Sequence, residues 1–89
     1  MSKWKVVFTK ESADDIPYVK AAKLENKLKE IVDTLRDDPF QESQHFEQLK
    51  GDLKGSCSRR LNHKHRVVYQ ILKNQKTVKI VSVWTHYQQ

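Results

Sequence analysis

Between Cys57 and Trp84 the chain alternates its residues in three successive runs, and the gaps between the runs are no longer than a hairpin needs. Cys57, Arg59 and Leu61 alternate with Ser58 and Arg60. Val67, Tyr69 and Ile71 alternate with Arg66, Val68 and Gln70, and Val78, Ile80, Ser82 and Trp84 alternate with Lys79, Val81 and Val83. A period of two is the signature of a strand with one face on a core, because successive side chains leave opposite faces of the pleat. Breaks at Asn62 to Lys64 and at Lys73 to Lys76 predict an antiparallel meander of three strands.

A sheet of this kind needs a cover for its apolar face, and the first half of the chain supplies one. Trp4, Val6 and Phe8 alternate with Lys3, Lys5 and Val7, which predicts a first strand that joins the edge or the middle of the sheet. Ser12 followed by Asp15 resembles a capping box and predicts a helix start. Pro17 is at ease only in a first helical turn, so a late start or a kink is expected there. From about Val19 to Arg36 the register is helical: Leu24, Leu28, Ile31 and Leu35 recur with Val32 beside them, opposite Lys20, Lys23, Lys27, Lys29 and Glu30. Asp38 and Pro39 supply the stop. The expected class is α+β: a strand, a helical hairpin, then the meander with the helices on one sheet face. The other face stays open, and function is to be sought there.

Length and charge narrow the classes further. The 89 residues suit one domain spanning 1–89, and 37% hydrophobic against 31% charged residues, with two Gly and two Pro, describe a folding chain and not a linker. Seventeen Lys and Arg against eleven Asp and Glu give +6 and a pI near 9.6, which suits a polyanion. Solubility alone is the plainer reading of that surplus. A lone Cys57, no signal-peptide core in MSKWKVVF and no apolar run of membrane length lead us to expect a cytoplasmic chain with no membrane contact. His63 and His65 have a spacing that two zinc ligands use, but no cysteine pair or carboxylate cluster completes a site, so neither metal nor cofactor is expected. Cys57 reads as a small core residue.

Cleaving RNA requires a base for the 2'-hydroxyl, a cation for the charge growing on the phosphoryl oxygens and an acid for the departing 5'-oxygen. A carboxylate, an arginine and a histidine fill those roles, and Glu47 in FEQLK, Arg66 in KHRVVY and His86 with Tyr87 in WTHY are the candidates. Each has a plainer reading alone: a solvated carboxylate, an ion-paired arginine, a fraying terminus.

The strings taken together are more specific. FEQLKGDLKGSCSRRLNHKHRVVYQI, with WTHY near the end and DDPF upstream, resembles the YoeB/Txe branch of the RelE toxin superfamily over nearly the whole chain, most strongly from Pro39 onward. The resemblance implies a RelE-like fold and an endoribonuclease that cuts mRNA on the ribosome, leaving a 2',3'-cyclic phosphate or its hydrolysed form. It implies Glu47 as general base, His86 as general acid, Arg66 as the residue that steadies the phosphate, and Tyr87 as an aid to positioning. Lys50, Arg59 and Arg60 become RNA-binding residues that line the site. Implied partners are mRNA, ribosomal RNA and a YefM/Axe-like antitoxin, with operator DNA met only through the antitoxin complex and a homodimer in view. Two readings compete on the same scaffold: a ParE-like toxin directed at gyrase, and a basic RNA-binding module without catalysis. Ser56 and Cys57, where relatives carry bulkier residues, and the tail Gln88 and Gln89 depart from the pattern.

Overall fold

The computed structural model describes residues 3–50 and 55–85. In chain order it contains β1 (Lys5–Phe8), α1 (Lys10–Ala21), α2 (Glu25–Asp37), β2 (Glu47–Gln48), β3 (Ser56–Arg60), β4 (Arg66–Leu72), a 3-10 turn at Lys73–Gln75, and β5 (Thr77–Thr85). The five strands form one sheet in the order β1-β5-β4-β3-β2. The expected α+β class and meander are present, with one addition: β2 pairs Glu47 with Ser58 and Gln48 with Cys57 at the sheet edge, between the helices and the meander. Two residues are too few to show a period.

β1 takes the other edge and runs parallel to β5, with Lys5 opposite Thr77 and Phe8 opposite Ile80. The helices that follow β1 lie over one face of the sheet. Leu28, Ile31, Val32 and Leu35 of α2 and Val19 of α1 pack with Cys57, Leu61, Val67, Tyr69, Val78, Ile80 and Val83. Each aliphatic side chain buried this way contributes about 1.5–3 kcal/mol.

The helical half differs from expectation in two places. The cap is Thr9, whose Oγ1 accepts from the Ser12 N–H at 3.2 Å while Ser12 Oγ donates to the Thr9 carbonyl at 2.9 Å. No reciprocal box forms, because the Thr9 N–H donates to the Ile80 carbonyl, and Asp15 does other work: its carboxylate accepts from Ser82 Oγ and from the Val83 N–H on β5, beyond the reach of β1. Pro17 sits inside α1, and the break comes later, at Ala22–Leu24, where Lys23 adopts a left-handed φ of 60°. Leu24 N–H then returns to the Val19 carbonyl at 3.0 Å, the closing bond of a helix C-terminal turn.

β5 also departs from simple alternation. Its pairing with β4 shifts between Arg66 and Val68 and again between Val68 and Tyr69, so that Tyr69 faces Ile80, Val68 faces Ser82 and Arg66 faces Thr85. The two extra residues turn the strand, and Val83, rather than Ser82 or Trp84, follows Ile80 into the core.

Candidate active site

In an antiparallel pair, residues directly opposite one another send their side chains to the same face. Glu47 opposes Ser58, Ser58 opposes Val68, and Arg60 opposes Arg66. Glu47, Ser58, Arg60 and Arg66 therefore share the face away from the helices, since Cys57, Val67 and Tyr69 between them belong to the core. Three of the residues singled out in the sequence, Glu47, Arg60 and Arg66, are gathered on one patch of that open face.

Arg66 is held firmly. Its Nε donates to Ser58 Oγ at 2.7 Å, across one diagonal of the β3–β4 pair, and its Nη2 donates to the His45 carbonyl. Arg66 is 6% exposed, whereas Arg60 beside it is exposed. Glu47 is half-buried. The segment leading to Glu47 turns sharply, with Gln44 and His45 both at φ 55°, and the Arg60 N–H donates to the Gln44 carbonyl at 2.8 Å.

The structure corrects the role of Arg59. Its register sends it to the helix side of the sheet, where it is 0% exposed and its donors are spent on Tyr69, Ser43, Gln44, Gln41 and Pro39. A guanidinium has five N–H groups, so none remains for an RNA phosphate. Alternation placed Arg59 among the core-facing residues, but an arginine there was read by its charge instead of its register.

Lys50 is exposed and lines a cleft of about 670 Å³ with Phe40, Leu49, Cys57, Ile71 and Lys73. That cleft is five residues along β4 from Arg66, on the order of 16 Å for a strand. His86 and Tyr87 lie outside the described residues; β5 ends at Thr85, the residue that opposes Arg66. Ser58 was not singled out from the sequence. A hairpin centred on Asn62–Lys64 sets it diagonal to Arg66, so the register was the signal available.

Next to this face, His65 stacks on Trp84 with ring centroids 3.8 Å apart, and Tyr18 of α1 stacks on the same indole at 6.1 Å. The charge is divided along the chain: ten Lys and Arg stand against eleven Asp and Glu up to residue 54, and seven Lys and Arg against none from Gly55 onward. The positive surplus therefore belongs to the meander that carries Arg60 and Arg66. On α2 the basic side chains are matched, Lys27 with Glu30, Lys29 with Asp33 and Arg36 with Asp33, as exposed pairs that contribute a few tenths of a kcal/mol each. Burial pushes the Cys57 thiol up, only partly offset by Arg59, so it is a poor nucleophile. Among the described residues no three His, Cys, Asp or Glu side chains gather as a metal-holding group, and no helix is long and apolar enough to cross a membrane.

Comparison with known proteins places the chain in a family. The family of YoeB-like toxins of bacterial type II toxin-antitoxin systems matches residues 8–87. Toxin YoeB of Synechocystis is 34% identical over 86 residues, 94% of this chain and 98% of that protein. A YoeB/ParE toxin from Agrobacterium tumefaciens superposes with a TM-score of 0.82 at 29% identity, covering 93% of this chain and 99% of its own. YoeB of Staphylococcus aureus, also 29% identical over 97% of this chain and 100% of its own, superposes with a TM-score of 0.75 in its heterotetramer with YefM and 0.79 as a dimer. The matched span, the identity to the Synechocystis toxin and the superposition agree, and the chain belongs to the YoeB-like toxins of bacterial type II toxin-antitoxin systems.

Proposed function

We propose that this toxin is a ribosome-dependent endoribonuclease that cuts mRNA by acid–base chemistry. Glu47 takes the proton from the 2'-hydroxyl, the 2'-oxygen attacks the adjacent phosphorus, and Arg66 neutralises the charge gathering on the phosphoryl oxygens. His86 gives a proton to the 5'-oxygen as the P–O5' bond breaks, leaving a 2',3'-cyclic phosphate on one fragment and a 5'-hydroxyl on the other. Tyr87 helps to position the substrate or the imidazole.

The observation that carries this reading is the shared face of Glu47 and Arg66, linked through Ser58: Glu47 opposes Ser58, and Ser58 Oγ accepts from Arg66 Nε at 2.7 Å. A carboxylate and a guanidinium held near one another outside the core can meet the same phosphate from two sides. His86 follows the residue that opposes Arg66 in the strand register, which supports the third role. Arg60 serves as an RNA contact, and Lys50, three residues beyond Glu47, approaches RNA from the neighbouring cleft.

Its partners are mRNA on the ribosome and a YefM-like antitoxin, since the S. aureus relative was solved with YefM; that relative's dimer supports a homodimer here. Operator DNA is reached only through the antitoxin, and the toxin acts in the cytoplasm. Primer extension on cellular mRNA after brief induction tests the reading. We expect discrete, translation-dependent cuts that vanish with His86→Ala. Growth arrest without such cuts would point to a gyrase-directed toxin or to a binding module instead.

A further inference from the structure

Arg59 is the largest fully buried side chain among the described residues. Its Nε donates to the Tyr69 hydroxyl at 2.9 Å. Nη1 donates to the Ser43 carbonyl at 2.9 Å, with Ser43 Oγ and Gln44 Oε1 each at 3.4 Å. Nη2 donates to the Gln41 carbonyl at 2.7 Å and to the Pro39 carbonyl at 3.0 Å. The Phe46 ring lies 5.0 Å from the guanidinium carbon and the Tyr69 ring 6.0 Å. Every acceptor is neutral, and all but Tyr69 belong to residues 39–44.

A planar fork of five donors is rigid, so it fixes the relative places of the oxygens it binds. Residues 39–46 contain no helix or strand, and their internal backbone bonds are short-range: Gln41 to Asp38, Ser43 to Gln41 and Phe46 to Ser43; from outside, the Arg60 N–H holds the Gln44 carbonyl and Gln44 Nε2 donates to Thr34 Oγ1. Arg59 holds the Pro39, Gln41 and Ser43 carbonyls at once, so it sets the path of the first part of this connection. The connection leads directly into Glu47 and, two residues earlier, presents the His45 carbonyl to Arg66. One buried side chain on the helix side of β3 thus governs both a carboxylate and a guanidinium on the opposite side.

We infer that Arg59 is a positioning residue: by templating residues 39–44 it sets Glu47 and Arg66 relative to each other, and it does not touch RNA. The inference rests on the reading that Glu47 and Arg66 carry out the cleavage. Lysine keeps the charge but cannot span the same oxygens, so Arg59→Lys separates position from charge.

The experiment measures single-turnover cleavage on mRNA-programmed ribosomes over a range of ribosome concentrations, with amide exchange recorded on the same samples. For Arg59→Lys we expect the maximal rate to fall about 10- to 100-fold, as small misplacements do. The half-saturating concentration should stay within about 2-fold, because no RNA contact is lost. The Arg60 and Phe46 amides, which bond to Gln44 and Ser43, should exchange faster while the cooperative fold persists. An unchanged maximal rate in the folded variant would reduce Arg59 to a fold-only role, and a raised half-saturating concentration with a weaker salt dependence would make it an RNA contact; either overturns the inference. If Arg59→Lys does not fold, Tyr69→Phe removes one acceptor while keeping the ring, and a drop of about 3-fold in maximal rate is expected; no drop overturns the inference. Should the wild type cut no RNA, the functional reading fails by itself, and the exchange rates still decide whether Arg59 holds the connection.

Discussion

Arg66 reaches across the β3–β4 pair to place its Nε 2.7 Å from Ser58 Oγ, in a position where Ser58 also stands opposite Glu47. This hydroxyl is fully buried, and it fixes the tilt of the guanidinium that is to meet the phosphate. Ser58→Ala should leave an arginine donor without its partner, at a cost of about 1–3 kcal/mol in stability. We expect cleavage to fall about 10-fold with little change in ribosome affinity, measured by single-turnover kinetics beside a urea titration. Full activity would show that Arg66 needs no such support.

Arg60 stands opposite Arg66 on the open face but is exposed. Arg60→Ala should weaken binding to RNA or ribosomes several-fold and lower the salt slope of binding by about 1, with an unchanged maximal rate. Binding measured between 50 and 200 mM salt, roughly the range over which phosphate contacts declare themselves, checks this. An unaltered slope removes Arg60 from the interface. The contrast with Arg59→Lys is informative, since neighbouring arginines on opposite faces should fail in opposite kinetic terms.

Lys23 holds a φ of 60° at the break between α1 and α2, a region that costs a residue with a Cβ about 1 kcal/mol or more. Lys23→Gly should raise stability by about 0.5–1 kcal/mol, or a few degrees in thermal midpoint, without affecting cleavage. Calorimetry decides it, and a lowered midpoint would mean that the lysine side chain compensates for the strain.

Cys57 and Tyr69 are both pushed above their ordinary values, first by burial, although Arg59 opposes the rise at each. The native protein therefore holds these protons to higher pH than the unfolded chain does. Their effect is absent at neutral pH, and stability should decline as pH rises past about 9, where the unfolded groups begin to ionise. Urea midpoints at pH 7, 9 and 10.5 test the sign, and Tyr69→Phe should flatten the decline relative to its own value at pH 7. A midpoint that rises with pH would contradict the burial argument.

The meander was legible because alternation and hairpin spacing act locally: Cys57 to Leu61, Val67 to Ile71 and Val78 to Ile80 read directly as strands with their core faces. The helix cover was legible from Leu28, Ile31, Val32 and Leu35. What stayed hidden depends on pairing between distant segments. The two residues of β2 become a strand only because Ser58 and Cys57 lie beside them. The turn at Ser82 comes from a register shift against β4, and Asp15 leaves its own helix start to cap β5. Arg59 shows the same limit at the site, since a charged residue at a core-facing position is explained only by the carbonyls of residues 39–44 that meet it.

Glu47 and Arg66 acting on one phosphate is the claim on which the functional account turns. The direct measurement is the chemical form of the RNA ends after single-turnover cleavage on programmed ribosomes, comparing wild type with Glu47→Gln. We predict 2',3'-cyclic phosphate and 5'-hydroxyl ends for the wild type, and a rate reduced about 100-fold or more for Glu47→Gln with ribosome binding retained. Wild-type speed in Glu47→Gln, with the same ends, would contradict the account.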